Sequence, residues 1–429
     1  MRRISDIKRR LGEGIYDEKL AWLYCIGKDE LSPVKDRINH VIEGFKTTFR
    51  KQDDAEAAIF SAPGRTELGG NHTDHQRGKV LTGSVDLDAL ACAAPNGTPV
   101  IRIFSEGYGM ISIVCGGLMP HEDEKDSTAA LIRGVAAGAE KKGFPVGGFD
   151  AYVISDVPGG SGLSSSACFE VLIGAVVNGL FCGGSLKNDE IAKIGQRAEN
   201  EYFGKPSGLL DQMGCAMGGI VTIDFEDQDE PKYRSMAVDF ADYALCIIDT
   251  GADHADLTGD YAAVPEEMKA VAAVFGKTVL REVDEEEFFA NISRVREAAG
   301  DRAVLRAIHF YADCHRVDEQ VDALEKGDFD HFLDLVNASG RSSFMYLQNI
   351  ATYRDPKSQP VAVALAAAEY WLGGRGACRV HGGGFAGTIQ AFVPMDMVES
   401  FRTNMDALLG EGACRVTKIR PEGCVCLID

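Results

Sequence analysis

The chain has 429 residues, 45% of them hydrophobic and 25% charged, which suits a globular protein of two domains rather than one compact core. Its formal net charge of −21 disfavours nucleic acid and anionic membranes as partners, and any bound nucleotide must be met by local donors or a metal ion. No run of about 18 apolar residues occurs, so no membrane span is expected, and the basic start Met1-Arg2-Arg3 lacks the apolar stretch of a signal peptide.

Residues 1–31 are mixed and weakly patterned. Ser32-Pro33 predicts a helix start, and Ile38, Ile42, Phe45 and Phe49 then fall on one helical face. Ala57 to Ser61 reads as a short strand running into the turn signal Pro63-Gly64. The following stretch, 64–79, packs Arg65, Glu67, Asn71, His72, Asp74, His75 and Gln76 among glycines. So many donors and acceptors suit recognition of a polyol, where each hydroxyl needs a partner. A metal reading competes there, since His72-x-Asp74-His75 matches the end of an H-x-H-x-D-H motif. The first histidine of that motif falls at Gly70, so one ligand is lost.

Val80–Ala94, Val100–Phe104 and Ile111–Cys115 read as strands, Ala129–Lys142 as a helix and Phe149–Ile154 as a strand. Next comes Pro158-Gly159-Gly160-Ser161-Gly162-Leu163-Ser164-Ser165-Ser166, between that strand and an apolar helix from about Ala167 to Leu180. Glycines let backbone approach a ligand, and the helix start offers free N–H groups and a positive dipole end. No lysine follows as in a Walker A loop.

Asn188–Phe203 reads as a helix with Glu199 near its end. Asp211-Gln212 follow the turn 204–208, with Asp211 set among Leu209, Leu210 and Met213. A carboxylate in that setting serves either as a helix cap or in function. The polar segment 227–232 marks a domain boundary, giving domains 1–234 and 235–429. The second half opens with the strand 244–248, continues with helices near 264–275, 301–325, 328–338 and 357–372, and closes with strands at 377–381, 388–393 and 424–428. Gly382-Gly383-Gly384-Phe385-Ala386-Gly387 fits G-x-G-x-x-G, yet a strand follows it, which excludes a Rossmann loop. The class is α+β, or mixed α/β. Twelve scattered cysteines without a C-x-x-C pair read as small buried hydrophobes in a reducing, cytoplasmic compartment.

Taken in order, the cluster at 64–79, G-L-S-S-S-A at 162–167, G-L-L-D-Q at 208–212 and G-G-G-F-A-G at 382–387 resemble the galactokinases of the GHMP kinase superfamily, over roughly residues 57–429. The resemblance implies a two-domain fold: an N-terminal mixed-sheet domain, a C-terminal ferredoxin-like domain and an active site between them. It implies ATP-dependent phosphorylation of an anomeric sugar hydroxyl, galactose first, with Mg2+. Residues 158–166 would cradle the ATP phosphates, Ser166 and Glu199 would hold Mg2+, and Asp211 would be the catalytic aspartate with Arg65 beside it. Asn71, His72, Asp74, Tyr261 and Gly383 would form the sugar side.

The sequence departs from the family pattern in places. Glu67, Gly69, Asn71 and His75 replace the Asn, Ile, Glu and Tyr of the sugar signature, and Arg341-Ser342-Ser343-Phe344 replaces R-D-D-Y. The paired arginines expected after Tyr261 are missing, and the first 56 residues exceed the usual leader. Galacturonokinases also lack the signature Glu and carry a run like Asp74-His75-Gln76. A Glu about 4 Å from a substrate carboxylate costs about 1–4 kcal/mol in repulsion, which Asn71 removes. A galacturonate kinase is therefore the alternative, ahead of a non-catalytic sugar sensor, against which the retention of Asp211, Arg65, Ser166 and Glu199 argues. The sequence leaves the oligomeric state open, a monomer being sufficient.

Overall fold

Residues 57–62 and 89–94 place apolar side chains on both faces of their strands, so those strands must be covered from both sides. The computed structural model describes every residue except 160–161, 206, 229, 237, 239, 241, 253–256 and 353–354. Nine strands build its first sheet: β1 (Arg2–Arg3), β2 (Glu56–Gly69), β3 (Lys79–Pro95), β4 (Val100–Ser105), β5 (Gly109–Val114), β6 (Phe149–Ser155), β7 (Ile220–Asp224), β8 (Lys232–Met236) and, from the far end of the chain, β13 (Val425–Ile428). The order is β1-β2-β3-β6-β4-β5, with β13 on β2, β7 on β3 and β8 on β7; among the described residues only the β4–β6 pairing is parallel.

Ala58, Phe60, Ala62, Ala89, Ala91 and Ala93 face one core, shared with the helices Thr128–Lys141, Ser165–Phe181, Asn188–Arg197 and Leu210–Met217. Their neighbours Ala57, Ile59, Leu90, Cys92 and Ala94 face a second core, closed by helices Ile4–Gly12, Asp17–Tyr24 and Ser32–Phe49. The weakly patterned first 31 residues are thus an integral cover of the sheet. Their signal is short: Ile4, Ile7 and Leu11 mark one buried face before Gly12 and Gly14 break it.

The second sheet comprises β9 (Tyr243–Asp249), β10 (Ala377–Val380), β11 (Thr388–Pro394) and β12 (Cys414–Thr417), antiparallel in the order β10-β11-β9-β12. With intervening helices this is the β-α-β-β-α-β order of a ferredoxin-like unit. Helices Pro360–Leu372 and Val398–Leu409 cover one face. On the other, Leu245, Ile247 and Phe392 join the core of the first sheet.

Two boundaries differ from the sequence expectation. The break at 234/235 falls inside β8, which stays hydrogen-bonded to β7 through Met236, and β13 carries the last residues back to the first sheet. Strand β2 does not turn at Pro63-Gly64. It continues to Gly69, absorbing Pro63 in a register shift before Arg65.

Candidate active site

The irregularity after Pro63 delivers Arg65 to the edge of the glycine- and serine-rich loop before helix Ser165–Phe181. Its backbone N–H donates to the Leu163 carbonyl at 3.1 Å, and a Cβ on Gly64 would lie 2.9 Å from that same oxygen. Arg65 is 6% exposed. Its Nε donates to Oδ1 of Asp211 at 2.8 Å, a second guanidinium nitrogen donates to the same oxygen, and the third reaches the Gly162 carbonyl. Asp211 lies in the first turn of helix Leu210–Met217, where the dipole favours a carboxylate. Its other oxygen, Oδ2, accepts from Ser164 Oγ at 2.6 Å. Burial pushes this carboxyl up, but Arg65 and Ser164 outweigh it and hold Asp211 below its ordinary value, so it is ionised at neutral pH. Its side chain keeps 36% exposure while the arginine beneath it has almost none, which leaves the carboxylate facing outward on a fixed support.

The loop between β6 and helix Ser165–Phe181 sits where the sequence placed it, with Gly160 and Ser161 outside the described residues. Gly162 needs its positive φ of 69°, and a Cβ there would meet Thr388 Oγ1 at 2.7 Å. Ser164 occupies the N-cap position at φ 57° but gives its hydroxyl to Asp211, not to the helix N–H groups. Those first-turn donors are therefore left for an anion. Ser166 is exposed and Ser165 half-buried at that helix start.

The second glycine cluster closes over this loop. His381 is fully buried and neutral, since burial and the nearby arginines lower it. Its Nε2 accepts the Glu67 N–H at 3.3 Å, so Nδ1–H donates to Thr388 Oγ1 at 2.9 Å. His72, at φ 57°, donates Nε2–H to the Gly383 carbonyl at 2.9 Å, and the Tyr261 hydroxyl donates to the Gly384 carbonyl at 2.6 Å. A Cβ on Gly383 would lie 2.6 Å from the Tyr261 ring, so glycine is required there by contact. Asp74 stands near Asp211. Burial first, and that neighbouring charge second, push it up to about 6. It lies against Gly208, where an added Cβ would collide with its carboxylate.

Asn71, expected to face the sugar, is turned into the protein. It has no exposed surface; Nδ2 donates to Glu67 Oε1 at 3.0 Å and to the Gly382 carbonyl at 2.7 Å, while Oδ1 accepts from Ser343 at 3.2 Å and Asn349 at 2.8 Å. Every hydrogen-bonding capacity of the amide is used by residues mostly some 270 or more positions away in sequence, which is why the local motif did not disclose it. Glu67 is itself buried against Arg379.

Glu199 is 3% exposed, on the π-helical turn Ala198–Phe203. Oε2 accepts from Ser207 Oγ at 2.6 Å and Gln212 Nε2 at 2.9 Å; Oε1 accepts from Lys205 Nζ at 2.9 Å. The same Gln212 nitrogen donates to Glu170 at 3.0 Å, tying the phosphate-loop helix to Glu199 and to the residue after Asp211. Sequence reasoning missed Glu170 and Lys205. Glu170 stands four residues after Ser166, one helical turn on, which was the available signal. Among the described residues no group of three or more His, Cys, Asp and Glu side chains is arranged to hold a metal ion. No helix among them is long and apolar enough to cross a membrane.

The chain is similar to known proteins over most of its length. Residues 130–219 match the model for the GHMP kinases N terminal domain, and residues 43–95 match the galactokinase galactose-binding signature. A galactokinase of Limosilactobacillus fermentum is 29% identical over 378 residues, covering 85% of this chain and 93% of that one. One from Streptococcus suis is 29% identical over 362 residues, covering 82% and 88%. Among solved structures, Lactococcus lactis galactokinase complexed with galactose superposes with a TM-score of 0.78 at 25% identity, over 91% of this chain and 99% of that one. Mevalonate kinase of Methanococcus jannaschii shares the fold, with a TM-score of 0.59 at 16% identity over 85% of this chain and 99% of its own.

Proposed function

Because this chain is a galactokinase-like member of the GHMP kinases, we propose that it transfers the γ-phosphoryl group of ATP to the anomeric hydroxyl of a monosaccharide, galactose before others, releasing the sugar 1-phosphate and ADP. The observation that carries the reading is the Arg65–Asp211–Ser164 arrangement. It joins a fixed carboxylate, an arginine and the donor-rich start of helix Ser165–Phe181 in one place.

In this reading the anomeric hydroxyl donates to Asp211 and loses its proton there as the new O–P bond forms. Arg65 keeps the carboxylate ionised, so the base is ready at neutral pH. The uncapped N–H groups of the helix hold the phosphates, and positioning with electrostatics supplies most of the rate. Asp74 and His72 are assigned to the sugar hydroxyls, with the Tyr261–Gly384 contact fixing the loop of Gly383 beside them.

Ser166 and Glu199 are the residues assigned to Mg2+, which when bound neutralises charge on the phosphates. The donor set fits a hard cation: an exposed hydroxyl, a carboxylate already holding an ammonium on one oxygen, and two buried oxygens nearby, Glu170 Oε1 and Gln212 Oε1, that have no hydrogen-bond partner among the described residues. Twelve unpaired thiols, most of them buried, accord with a cytoplasmic enzyme.

A galacturonate kinase is the second reading. It is favoured by the sugar loop itself: position 71 holds an inward-turned amide where the family pattern has a carboxylate, and the Glu67 carboxylate is buried against Arg379. ADP release with MgATP across galactose, galacturonate, glucuronate and glucose separates the two. Galactose should give the highest kcat/KM, and Asp211→Asn should lower kcat by about 10²–10⁴-fold. A preference for galacturonate would transfer the assignment to the second reading, and full turnover by Asp211→Asn would remove the mechanism.

A further inference from the structure

Lys205 touches one of the two acidic groups on which the proposed chemistry depends and acts on the other through its charge, and no motif assigned it a part. Its Nζ lies 2.9 Å from Glu199 Oε1, and its charge also helps to hold Asp211 ionised. The carboxylate it touches is almost wholly enclosed, with 4% of its side chain exposed, whereas the lysine side chain is 58% exposed. An enclosed carboxylate needs a positive partner, and this one has it in Lys205.

The division of labour at Glu199 is what gives the contact meaning. Ser207 and Gln212 both bond Oε2 and fix the group, leaving Oε1 to Lys205. An ammonium and a divalent cation cannot share one oxygen without strong repulsion. The flexible four-carbon stem of a lysine lets the ammonium leave without moving the backbone.

We propose that Lys205 is a built-in counter-cation, which occupies Glu199 in the nucleotide-free enzyme and is exchanged for Mg2+ when MgATP binds. The inference rests on the assignment of Glu199 to the metal. It makes Lys205 a competitor of Mg2+, so the enzyme's metal requirement is set higher than the bare carboxylate would set it. Binding of Mg2+ and release of the lysine become one event, which delays assembly of the charged site until the nucleotide arrives.

The test is the Mg2+ concentration needed for half-maximal binding of a non-hydrolysable ATP analogue, read by calorimetry, in the wild type, Lys205→Met, Lys205→Arg and Glu199→Gln. Lys205→Met should lower that concentration by about two- to fivefold, the range open to a partly exposed ion pair, and Lys205→Arg should restore it. Mn2+ binding to the nucleotide-free protein, read by electron paramagnetic resonance, should tighten in Lys205→Met in the same direction. An unchanged or raised Mg2+ requirement in Lys205→Met overturns the proposal. Glu199→Gln tells the two layers apart: if it leaves the Mg2+ requirement at the wild-type value, the metal assignment itself has failed, whatever Lys205 does.

Discussion

Asp74 and Asp211 are neighbouring carboxylates whose surroundings push them in opposite directions. Arg65 and Ser164 hold Asp211 down, while burial and Asp211 itself push Asp74 up to about 6. Asp74 is therefore ionised above pH 6 and takes up a proton as pH falls through that value. If it accepts a hydrogen bond from the sugar, KM for the sugar should rise as pH is lowered from 7 to 5, with KM for ATP much less affected. Steady-state kinetics over that range on the wild type and Asp74→Asn checks this; Asp74→Asn should have a high sugar KM with little pH dependence. The linkage to stability has the opposite sense. A raised folded-state value means that Asp74 favours the fold at low pH and that this contribution is lost as pH rises through about 6. Arg65 and Asp211 were legible as a pair because short motifs name them. The inward turn of Asn71 was not, because its partners Asn349, Ser343 and Gly382 come from the other half of the chain.

Elements place these residues through close approach. Gly208 precedes helix Leu210–Met217 and packs on Asp74 with no room for a methyl group. Gly208→Ala should displace Asp74, raise KM for the sugar by about tenfold or more, and leave nucleotide-analogue binding near the wild-type value; the magnitude follows from loss of a charge-assisted hydrogen bond. Equal losses for sugar and nucleotide would mean that the substitution disturbs the helix rather than the contact. The phosphate-loop helix was legible from its glycines, serines and apolar run. The passage of β2 through Pro63-Gly64 was not, because the same dipeptide that signals a turn can be absorbed by a bulge when neighbouring strands pair on either side. The two short N-terminal helices were missed for a different reason: each buries only three side chains, and their packing against the sheet decides their structure.

At the scale of the whole molecule, one buried carboxylate gathers segments distant in sequence. Asp88, on β3, has no exposure and accepts from Tyr24 at 2.6 Å, Arg37 at 2.8 Å and Arg420 at 3.1 Å, with Ser61 also bonded to it. Tyr24 and Arg37 belong to the N-terminal helices, and Arg420 lies near the C-terminus. Asp88→Ala would leave Arg420 buried without its partner and should destabilise the protein by about 3–5 kcal/mol, seen as a lower urea midpoint. A loss below about 1 kcal/mol would mean that the network is dispensable. The ferredoxin-like second unit followed from the family resemblance, whereas the return of β13 to the first sheet did not, since a four-residue strand carries no mark of its partner.

The central claim is that phosphate goes from ATP to the anomeric carbon's oxygen. Phosphorus NMR of the enzyme with MgATP and galactose labelled with carbon-13 at C1 tests it most directly. ADP and one new phosphomonoester resonance coupled to the labelled carbon should grow together and be nearly absent with Asp211→Asn. Phosphate on any other carbon, or ADP formed without a sugar phosphate, would contradict it.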